Sequence, residues 1–518
     1  SDGCSRCDVP TAGSNTPVPQ KRCSKLQEAG QSIEGRPKRS KRQRVNYSRA
    51  KRWEEDYEGG EDEEEDDMMQ QAIKNSLAFE KRTKISTIPS APSFYPTESE
   101  FKDPIRYISS LHKIGTKYGA VKIVPPNSWK PELNIDFKTF TFQTRIQRIN
   151  RLQEGEGWPG GKKYVLADYK TMADEFAKKY NEADLETIER SYWDIVNGKA
   201  GDVTVEYGND IDSVSAGSGF RKDDPSPWNL TKIARHPGSP LSFIEDIKGV
   251  TVPWVYCGML FSSFCWHCED NYLPSINYLH RGKPKVWYVV PSKEAPKLEK
   301  TMKQHLPCLF EREPDLIHKL CTTLDPTILA ASGISVSKLV QTEASFVVTF
   351  PRGFHSGFNT GFNIAEAVNM SYEEWFSFGR KCCREYRVVG RPSVFSHDQL
   401  LIQWFRQNRS RTILDEIETT LRLQKRWTEG FLAKGMSLSL YRYMFNPAHH
   451  QCSLCSHHLY LAFVGCKCRP GAVYCMEHCG SVCDCRWNQR VMHHSFEFDG
   501  LMSAHGLNIN QTPSILKG

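Results

Sequence analysis

Two histidines and a glutamate in this chain have the types and spacing of a metal site. Val252–Pro291 contains Trp266-His267-Cys268-Glu269, and Phe346–Asn359 contains Phe354-His355-Ser356. In a strand, residues i and i+2 project from the same face. His267 and Glu269 are therefore expected on one face and Cys268 on the other. A neutral imidazole beside a carboxylate supplies two thirds of the facial triad that binds Fe(II) with open positions. His355 follows His267 by 88 residues, just after an apolar strand and a Pro351-Arg352-Gly353 turn, and is the candidate third ligand. A His-x-Glu arises often by chance, so these residues alone leave metal binding open.

A second constellation lies near the C-terminus, where eight of the 18 cysteines fall between 452 and 485. Cys452-x-x-Cys455, Cys466-x-Cys468, Cys475-x-x-His478 and Cys483-x-Cys485 make four pairs, enough for two tetrahedral zinc sites. Interleaved pairing is predicted. Cys452, Cys455, Cys475 and His478 would share one ion, and Cys466, Cys468, Cys483 and Cys485 the other. Cys479 is the spare thiol and an alternative to His478. Closed four-ligand sites are structural. Cys4, Cys7 and Cys23 supply one C-x-x-C without a matching pair, so no zinc site is expected there.

Periodicity gives the elements that must hold these groups. Val252–Pro291 is rich in aromatic and β-branched residues and broken at Arg281-Gly282-Lys283-Pro284, so it reads as strands. Upstream, Thr97 and Glu100 form a capping box, and Phe101, Ile105, Tyr107, Ile108 and Leu111 are spaced as one apolar helix face. Gly119 ends that helix, and Ala120–Val124 reads as a short strand stopped by Pro125-Pro126. Phe137–Leu152 reads as a strand with a basic segment, and Glu154–Gly161 as a linker. Tyr164–Asn197 has a helical pattern, and Val203–Gly208 reads as a strand stopped by glycine. A further helical region runs from about Ser396 to Met444.

The chain of 518 residues is 39% hydrophobic and 25% charged, which fits a soluble protein of several domains. It has no apolar run long enough to span a bilayer, and its first residues lack the apolar core of a secretion signal. A reducing compartment is expected, where clustered cysteines bind metal. The net charge of +7 is unevenly spread. Residues 1–88 read as a disordered tail. It holds a basic block at Arg36–Arg44, extended by Arg49, Lys51 and Arg52, and an acidic block at Glu61–Asp67. The basic block suits nuclear import or contact with nucleic acid, so the nucleus is the expected location and chromatin or DNA a contact the tail would allow. No membrane partner is expected.

Several motifs resemble a known family. Phe94-Tyr-Pro-Thr-x-x-Glu-Phe-x-Asp-Pro104 and Tyr118-Gly-x-x-Lys-Ile-Val-Pro-Pro126 resemble the JmjN segment of jumonji-type histone demethylases. Ser262-Ser-Phe-Cys-Trp-His-x-Glu-Asp270, Ser275-Ile-Asn-Tyr-Leu-His-x-Gly-x-Pro-Lys-x-Trp-Tyr288 and Phe350-Pro-Arg-x-x-His-Ser-Gly-Phe-Asn-x-Gly-Phe-Asn-x-Ala-Glu-Ala-Val-Asn369 resemble the JmjC domain of histone lysine demethylases. They are most similar to the lysine-demethylase-5 group, which acts on lysine 4 of histone H3, and its plant relatives. The cysteine cluster resembles the C5HC2 finger that follows JmjC there. The resemblance covers about Pro92 to His505.

This resemblance implies a mixed α+β fold: a JmjC double-stranded β-helix (jelly-roll, cupin) barrel with JmjN support, a helical region and a C-terminal two-zinc finger. The implied division is a tail at 1–88, JmjN at 92–133, a linker at 134–163, the JmjC domain at 164–388 with its barrel core at about 250–372, a helical region at 389–446, the finger at 450–505 and a tail at 506–518. The short interval between JmjN and JmjC is closer to the plant-type architecture than to animal members with inserted modules.

The resemblance also implies roles. His267, Glu269 and His355 would hold Fe(II). Lys285 and Tyr207 would meet the far carboxylate of the cosubstrate 2-oxoglutarate, with Ser275 and Asn277 as polar neighbours and Phe264 and Trp287 as apolar walls. Without the match, an exposed turn lysine and a core tyrosine are the simpler accounts of Lys285 and Tyr207. Tyr256, Asn369 and Ala367 would line the methyl-lysine pocket, where an electron-rich ring faces the cation. Glu206, Asp210, Asp212 and Asp270 could form an acidic rim for a basic peptide, although each alone reads as a solvated carboxylate. The implied activity is O₂-dependent demethylation of a methylated H3 tail, most of all at lysine 4 in its tri-, di- or monomethyl form, with release of formaldehyde. Alternatives are the same chemistry at lysine 27, 9 or 36, and a catalytically weak chromatin-binding scaffold. Four positions depart from the family pattern: Pro274, Arg281, Val289 and Phe354. They are expected to border the pocket.

Overall fold

The computed structural model describes residues 85–155, 157–312, 322–441, 450–505 and 514–515. The basic and acidic blocks, Cys4, Cys7, Cys23 and nearly all of the 506–518 tail lie outside the described residues. The strands among them are, in chain order, β1 (Ser93–Phe94), β2 (Ala120–Ile123), β3 (Thr141–Arg148), β4 (Gly160–Val165), β5 (Thr204–Asp212), β6 (Trp254–Gly258), β7 (Ser263–His267), β8 (Ser275–Gly282), β9 (Lys285–Val290), β10 (Ser337–Gln341), β11 (Phe346–Thr349), β12 (Phe354–Asn359), β13 (Asn363–Asn369), β14 (Ser437–Tyr441), β15 (Ala462–Cys466), β16 (Val473–Tyr474), β17 (Arg490–Ser495) and β18 (Ser514–Ile515).

They form a large sheet, β1-β2-β11-β8-β13-β6-β5-β3-β4, a small sheet, β10-β9-β12-β7, and a C-terminal sheet, β16-β15-β17-β14-β18. From β6 to β9 the chain alternates between large and small sheet, and it does so again from β10 to β13. This is the double-stranded jelly roll. Ser275–His280 and Lys285–Val290 are buried throughout, which is why they read as unbroken runs. Gly282 turns β8 into β9 at φ 108, where a Cβ would lie 2.3 Å from the Phe362 carbonyl oxygen. Only glycine fits.

The large sheet is extended at both edges. β1 and β2 pair in parallel, and β2 joins β11. The capping box at Thr97 and Glu100 exists, but it closes a single 3-10 turn, Glu100–Lys102. The helix starts later, at Pro104–Ser110, where Asp103 accepts from the Arg106 amide. A break at Leu111 separates a second helix, His112–Tyr118. The expected apolar face still packs on the barrel, with Phe101 stacked on Trp228 at 4.2 Å between centroids. At the other edge β4 includes Gly160 and Gly161, which composition assigned to a linker, and Tyr164, which periodicity assigned to a helix. Helices Leu166–Ala177 and Leu185–Val196 follow. β5 passes through Gly208 instead of stopping there, because pairing with β6 continues beyond a bulge between Gly208 and Ile211.

A helix that sequence reading did not separate, Trp375–Val389, follows the barrel and ends at Gly390 in the left-handed conformation. Trp375, Phe376, Gly379, Cys382, Cys383 and Tyr386 form its buried stripe. Helices His397–Gln407 and Arg411–Leu432 come next. The expected helical region ends at Leu432. Ser437–Tyr441 is instead strand β14, which pairs in parallel with β17 and so joins the helices to the cysteine module. No helix among the described residues is long and apolar enough to cross a membrane.

Candidate active site

The small sheet carries both histidines on adjacent strands, with His267 of β7 opposite His355 of β12. The pairing slips there, so Cys265 and Trp266 together oppose Ser356. This bulge lets Phe264 and His267 both face the interior although they are three residues apart. β7 ends at His267. Glu269 lies beyond it in extended conformation, at the start of the turn Asp270–Tyr272. The i, i+2 reasoning still holds locally: Glu269 joins the histidines, and Cys268 packs away among Tyr272, Cys382 and Tyr386.

One donor atom from each of His267, Glu269 and His355 lies within 4.8 Å of the other two. His355 Nε2 is 3.3 Å from Glu269 Oε1. Nδ1 of His267 faces the Cys265 carbonyl at 2.7 Å, and Nδ1 of His355 faces the Gly353 carbonyl at 3.1 Å. Carbonyls accept, so each Nδ1 carries the proton and each Nε2 presents a lone pair. Burial and the neighbouring His355 push His267 down to about 4, which keeps it neutral near pH 7. Burial raises the Glu269 carboxyl, but His355, His267 and the Asn369 amide outweigh it and hold it at about 2. Two imidazoles and one carboxylate are what a divalent iron ion takes up.

Lys285 sits deeper, 1% exposed, at the start of β9. Its ammonium donates to Asn359 Oδ1 at 2.6 Å and approaches the Tyr207 hydroxyl at 3.4 Å. Among the described residues no carboxylate pairs with it. Desolvation pushes it down from 10.5 to about 7. Phe264 lies 5.8 Å from the ammonium and meets Trp287 edge-on at 4.6 Å. A buried cation without an anion, walled by rings and within the same barrel as the triad, suits the carboxylate of an acidic small molecule. Ser275 bonds Thr349 at 2.6 Å, and Asn277 accepts from Gln341 at 3.1 Å, which also holds the Trp287 indole at 3.0 Å.

The remaining candidates lie on the large sheet. Tyr256 on β6 is paired with Ala365, and Ala367 with Asn277, so these residues share the interior face. Asn369 donates to Glu269 Oε2 at 3.0 Å, so it meets the triad as well as the pocket. The acidic rim does not form as a set. Glu206 accepts from Tyr164 and the Lys162 amide at 3.0 Å each, Asp212 pairs with Lys248 at 2.7 Å, and Asp270 with Arg391 at 2.9 Å. Asp210 alone reaches the pocket. The β5 bulge turns it to φ 55, and it accepts from the Tyr256 hydroxyl.

Two of the four departures do not border the site. Phe354 alternates with His355 and packs into the core outside the barrel, and Arg281 is exposed. Pro274 borders it through its carbonyl, which accepts from Asn369, and Val289 packs beside Trp287. Sequence reasoning missed Gln341, Thr349, Asn359 and Asn363. Asn359 and Asn363 lie in the quoted motif, but nothing in their types or spacing set them apart from ordinary polar residues.

The cysteines gather in the two expected groups, Cys452, Cys455, Cys475 and His478, and Cys466, Cys468, Cys483 and Cys485. Cys455 and Cys475 sulfurs are 3.9 Å apart, and Cys466 and Cys483 sulfurs 3.6 Å. Tetrahedral zinc with bonds of about 2.3 Å needs edges of about 3.8 Å. Cys479 joins neither group and donates to the Met476 carbonyl.

The sequence as a whole is similar to known proteins. Residues 254–370, which span β6 to β13, match the family "JmjC domain, hydroxylase". Residues 92–125 match the jmjN domain and 452–504 the C5HC2 zinc finger. The chain is a JmjN–JmjC protein with a C5HC2 zinc finger. Residues 374–409 of this JmjC protein also match the C-terminal helical domain of lysine-specific demethylase 5. It is 36% identical over 488 residues to lysine-specific demethylase JMJ703 of Oryza sativa subsp. japonica, covering 77% of this chain and 39% of that protein. It is 37% identical over 372 residues to lysine-specific demethylase JMJ17 of Arabidopsis thaliana, covering 66% and 31%. It is 36% identical over 387 residues to lysine-specific demethylase 5B of Gallus gallus, covering 69% and 25%. The chain thus spans well under half the length of these relatives.

Proposed function

We propose that this chain is an iron(II)- and 2-oxoglutarate-dependent histone lysine demethylase that acts on methylated H3, at lysine 4 before other sites. The observation that carries the reading is the pairing of two features: imidazole and carboxylate donors of His267, Glu269 and His355 gathered at one point, and a buried ammonium that no carboxylate pairs with among the described residues. His267, Glu269 and His355 would hold the iron. Lys285 and Tyr207 would bind the far carboxylate of 2-oxoglutarate, Ser275 and Asn277 would fix its position, and Phe264 and Trp287 would exclude water from it. Iron with this cosubstrate supplies O₂-dependent hydroxylation of the N-methyl carbon, and the hydroxymethyl product loses formaldehyde.

Tyr256, Ala367 and Asn369 would orient the methylammonium group. Asp210 would place negative charge beside it and fix the Tyr256 hydroxyl. The choice of lysine 4 rests on the motif resemblance to the lysine-demethylase-5 group and on the helical-domain match. A nuclear location follows from that substrate. Cys452, Cys455, Cys475 and His478, and the second group of four cysteines, would each hold a structural zinc. The test is release of succinate and formaldehyde from H3 peptides methylated at lysine 4, 9, 27 or 36. Preferential demethylation at lysine 4 is expected. Preference for lysine 27 would overturn the site choice, and no turnover on any peptide with iron bound would favour the scaffold reading.

A further inference from the structure

Three non-glycine residues in the left-handed backbone region flank the candidate iron ligands. Asn271 and Tyr272, both at φ 52, follow Glu269, and Arg352, at φ 58, precedes His355 by three residues. Such conformations persist where the surroundings impose them, and they gather at functional sites. The surroundings here are specific. The Arg352 side chain is 3% exposed. Its Nη2 lies 2.9 Å from Glu385 and 3.6 Å from Glu299. Its guanidinium also sits over the Tyr272 ring at 5.2 Å. The Tyr272 hydroxyl donates to the same Glu385 carboxylate. One carboxylate on the helix Trp375–Val389 therefore ties the turn after Glu269 to the turn before His355.

The same helix and the segment after it grip the first turn at further points. The Trp375 indole donates to the Asn271 carbonyl at 3.0 Å. The Tyr386 hydroxyl and Arg391 donate to Asp270 at 3.2 and 2.9 Å, and the Val394 amide donates to the Asn271 side chain at 3.2 Å. Asp270 is the residue next to Glu269. A lysine at 352 would keep the charge but lose the planar guanidinium that meets Glu385 and Glu299 through one nitrogen while its flat face covers a ring.

We infer that Arg352 and Glu385 are positioning residues of the metal centre: their ion pair, closed by Tyr272, sets Glu269 and His355 at ligating separation. The inference rests on the proposed iron role of the triad. A tie that only docks the helix would leave metal affinity unchanged.

The experiment is anaerobic titration of the zinc-loaded full chain with Fe(II) alone and then with 2-oxoglutarate. It follows bound metal and the visible charge-transfer band of the complex. Arg352→Gln strands two carboxylates and risks unfolding. Glu385→Gln, at a more exposed position, carries the test on its own, with its thermal melt measured without iron. Loss of a group that orients metal ligands typically weakens metal binding about 10- to 100-fold. That loss is expected in Glu385→Gln and Arg352→Gln, together with a shifted band, and Arg352→Lys should recover part of it. Wild-type iron affinity and an unshifted band in folded Glu385→Gln would overturn the inference. Absence of iron binding in the wild type, or binding that survives His267→Ala, would instead overturn the reading of the triad.

Discussion

Lys285→Met should stabilise the free protein and cripple cosubstrate binding. The wild-type ammonium is 1% exposed and displaced from 10.5 to about 7 by desolvation. At about 1.4 kcal/mol per pH unit, this corresponds to roughly 5 kcal/mol spent on burying an unpaired charge. The folded lysine holds its proton more weakly than the unfolded one. Between about pH 7 and 10.5 the unfolded state therefore binds more protons, and stability rises with pH across that window. Below it both states are protonated and the whole penalty stands. Methionine keeps most of the volume and removes the charge. At about pH 6 the variant should exceed the wild type by a few kcal/mol in denaturant melts without ligand, and the gap should shrink toward about pH 10.

With 2-oxoglutarate the order reverses. A hydrogen bond to a charged group contributes about 1.5–3 kcal/mol, so affinity should fall about 10- to 150-fold. Binding should also load the wild-type lysine. At about pH 8 nearly one proton should be taken up per cosubstrate, read by calorimetry in two buffers of different ionisation enthalpy. A Lys285→Met protein that is less stable without ligand and binds 2-oxoglutarate as tightly as the wild type would refute this reasoning.

Further outcomes follow from the same geometry. His267→Ala should lose iron and turnover while retaining two zinc ions per chain, measured by metal analysis. Removing zinc with a chelator should melt the sheet that joins β14 to β17 before the jelly roll, seen as loss of amide protection confined to about 437–504. Although Asp210 is an exposed residue, desolvation of its carboxyl beside the Tyr256 ring pushes it up to about 6, against the hydrogen bond from Tyr256. Its charge is therefore gained as pH rises through about 6. The KM for methylated peptide should fall over that interval in the wild type, and this limb should vanish in Asp210→Asn.

Much of this arrangement was legible because it depends on spacing within a known period. His267 and Glu269 needed only the alternation of an extended chain, and the cysteine pairs needed only the reach of a short loop. The jelly roll was legible from motif resemblance. Alternation by itself could not order its strands. What escaped depended on tertiary surroundings. The slip at Cys265 and Trp266 that turns Phe264 inward is set by pairing with β12. Phe354 was misjudged because alternation puts it behind His355. Gly208 looked like a strand end, yet a Cβ there would lie 2.5 Å from the Phe142 ring, so glycine serves close packing within β5. Asn359 and Asn363 read as ordinary polar residues until the fold placed Lys285 against Asn359, whose side-chain oxygen also accepts from Asn363. Ser437–Tyr441 looked like the end of a helix because its partner strand β17 lies some 50 residues on.

The central claim is that the triad and Lys285 together perform oxidative demethylation of H3. Mass spectrometry of a trimethyl-lysine 4 H3 peptide, incubated with the full chain, Fe(II) and 2-oxoglutarate in air, tests it most directly. Stepwise loss of methyl groups is expected, matched by succinate and formaldehyde, abolished in His355→Ala and shifted to about 10- to 150-fold higher 2-oxoglutarate in Lys285→Met. An iron-loaded, folded chain that leaves every methylated H3 peptide intact would contradict it.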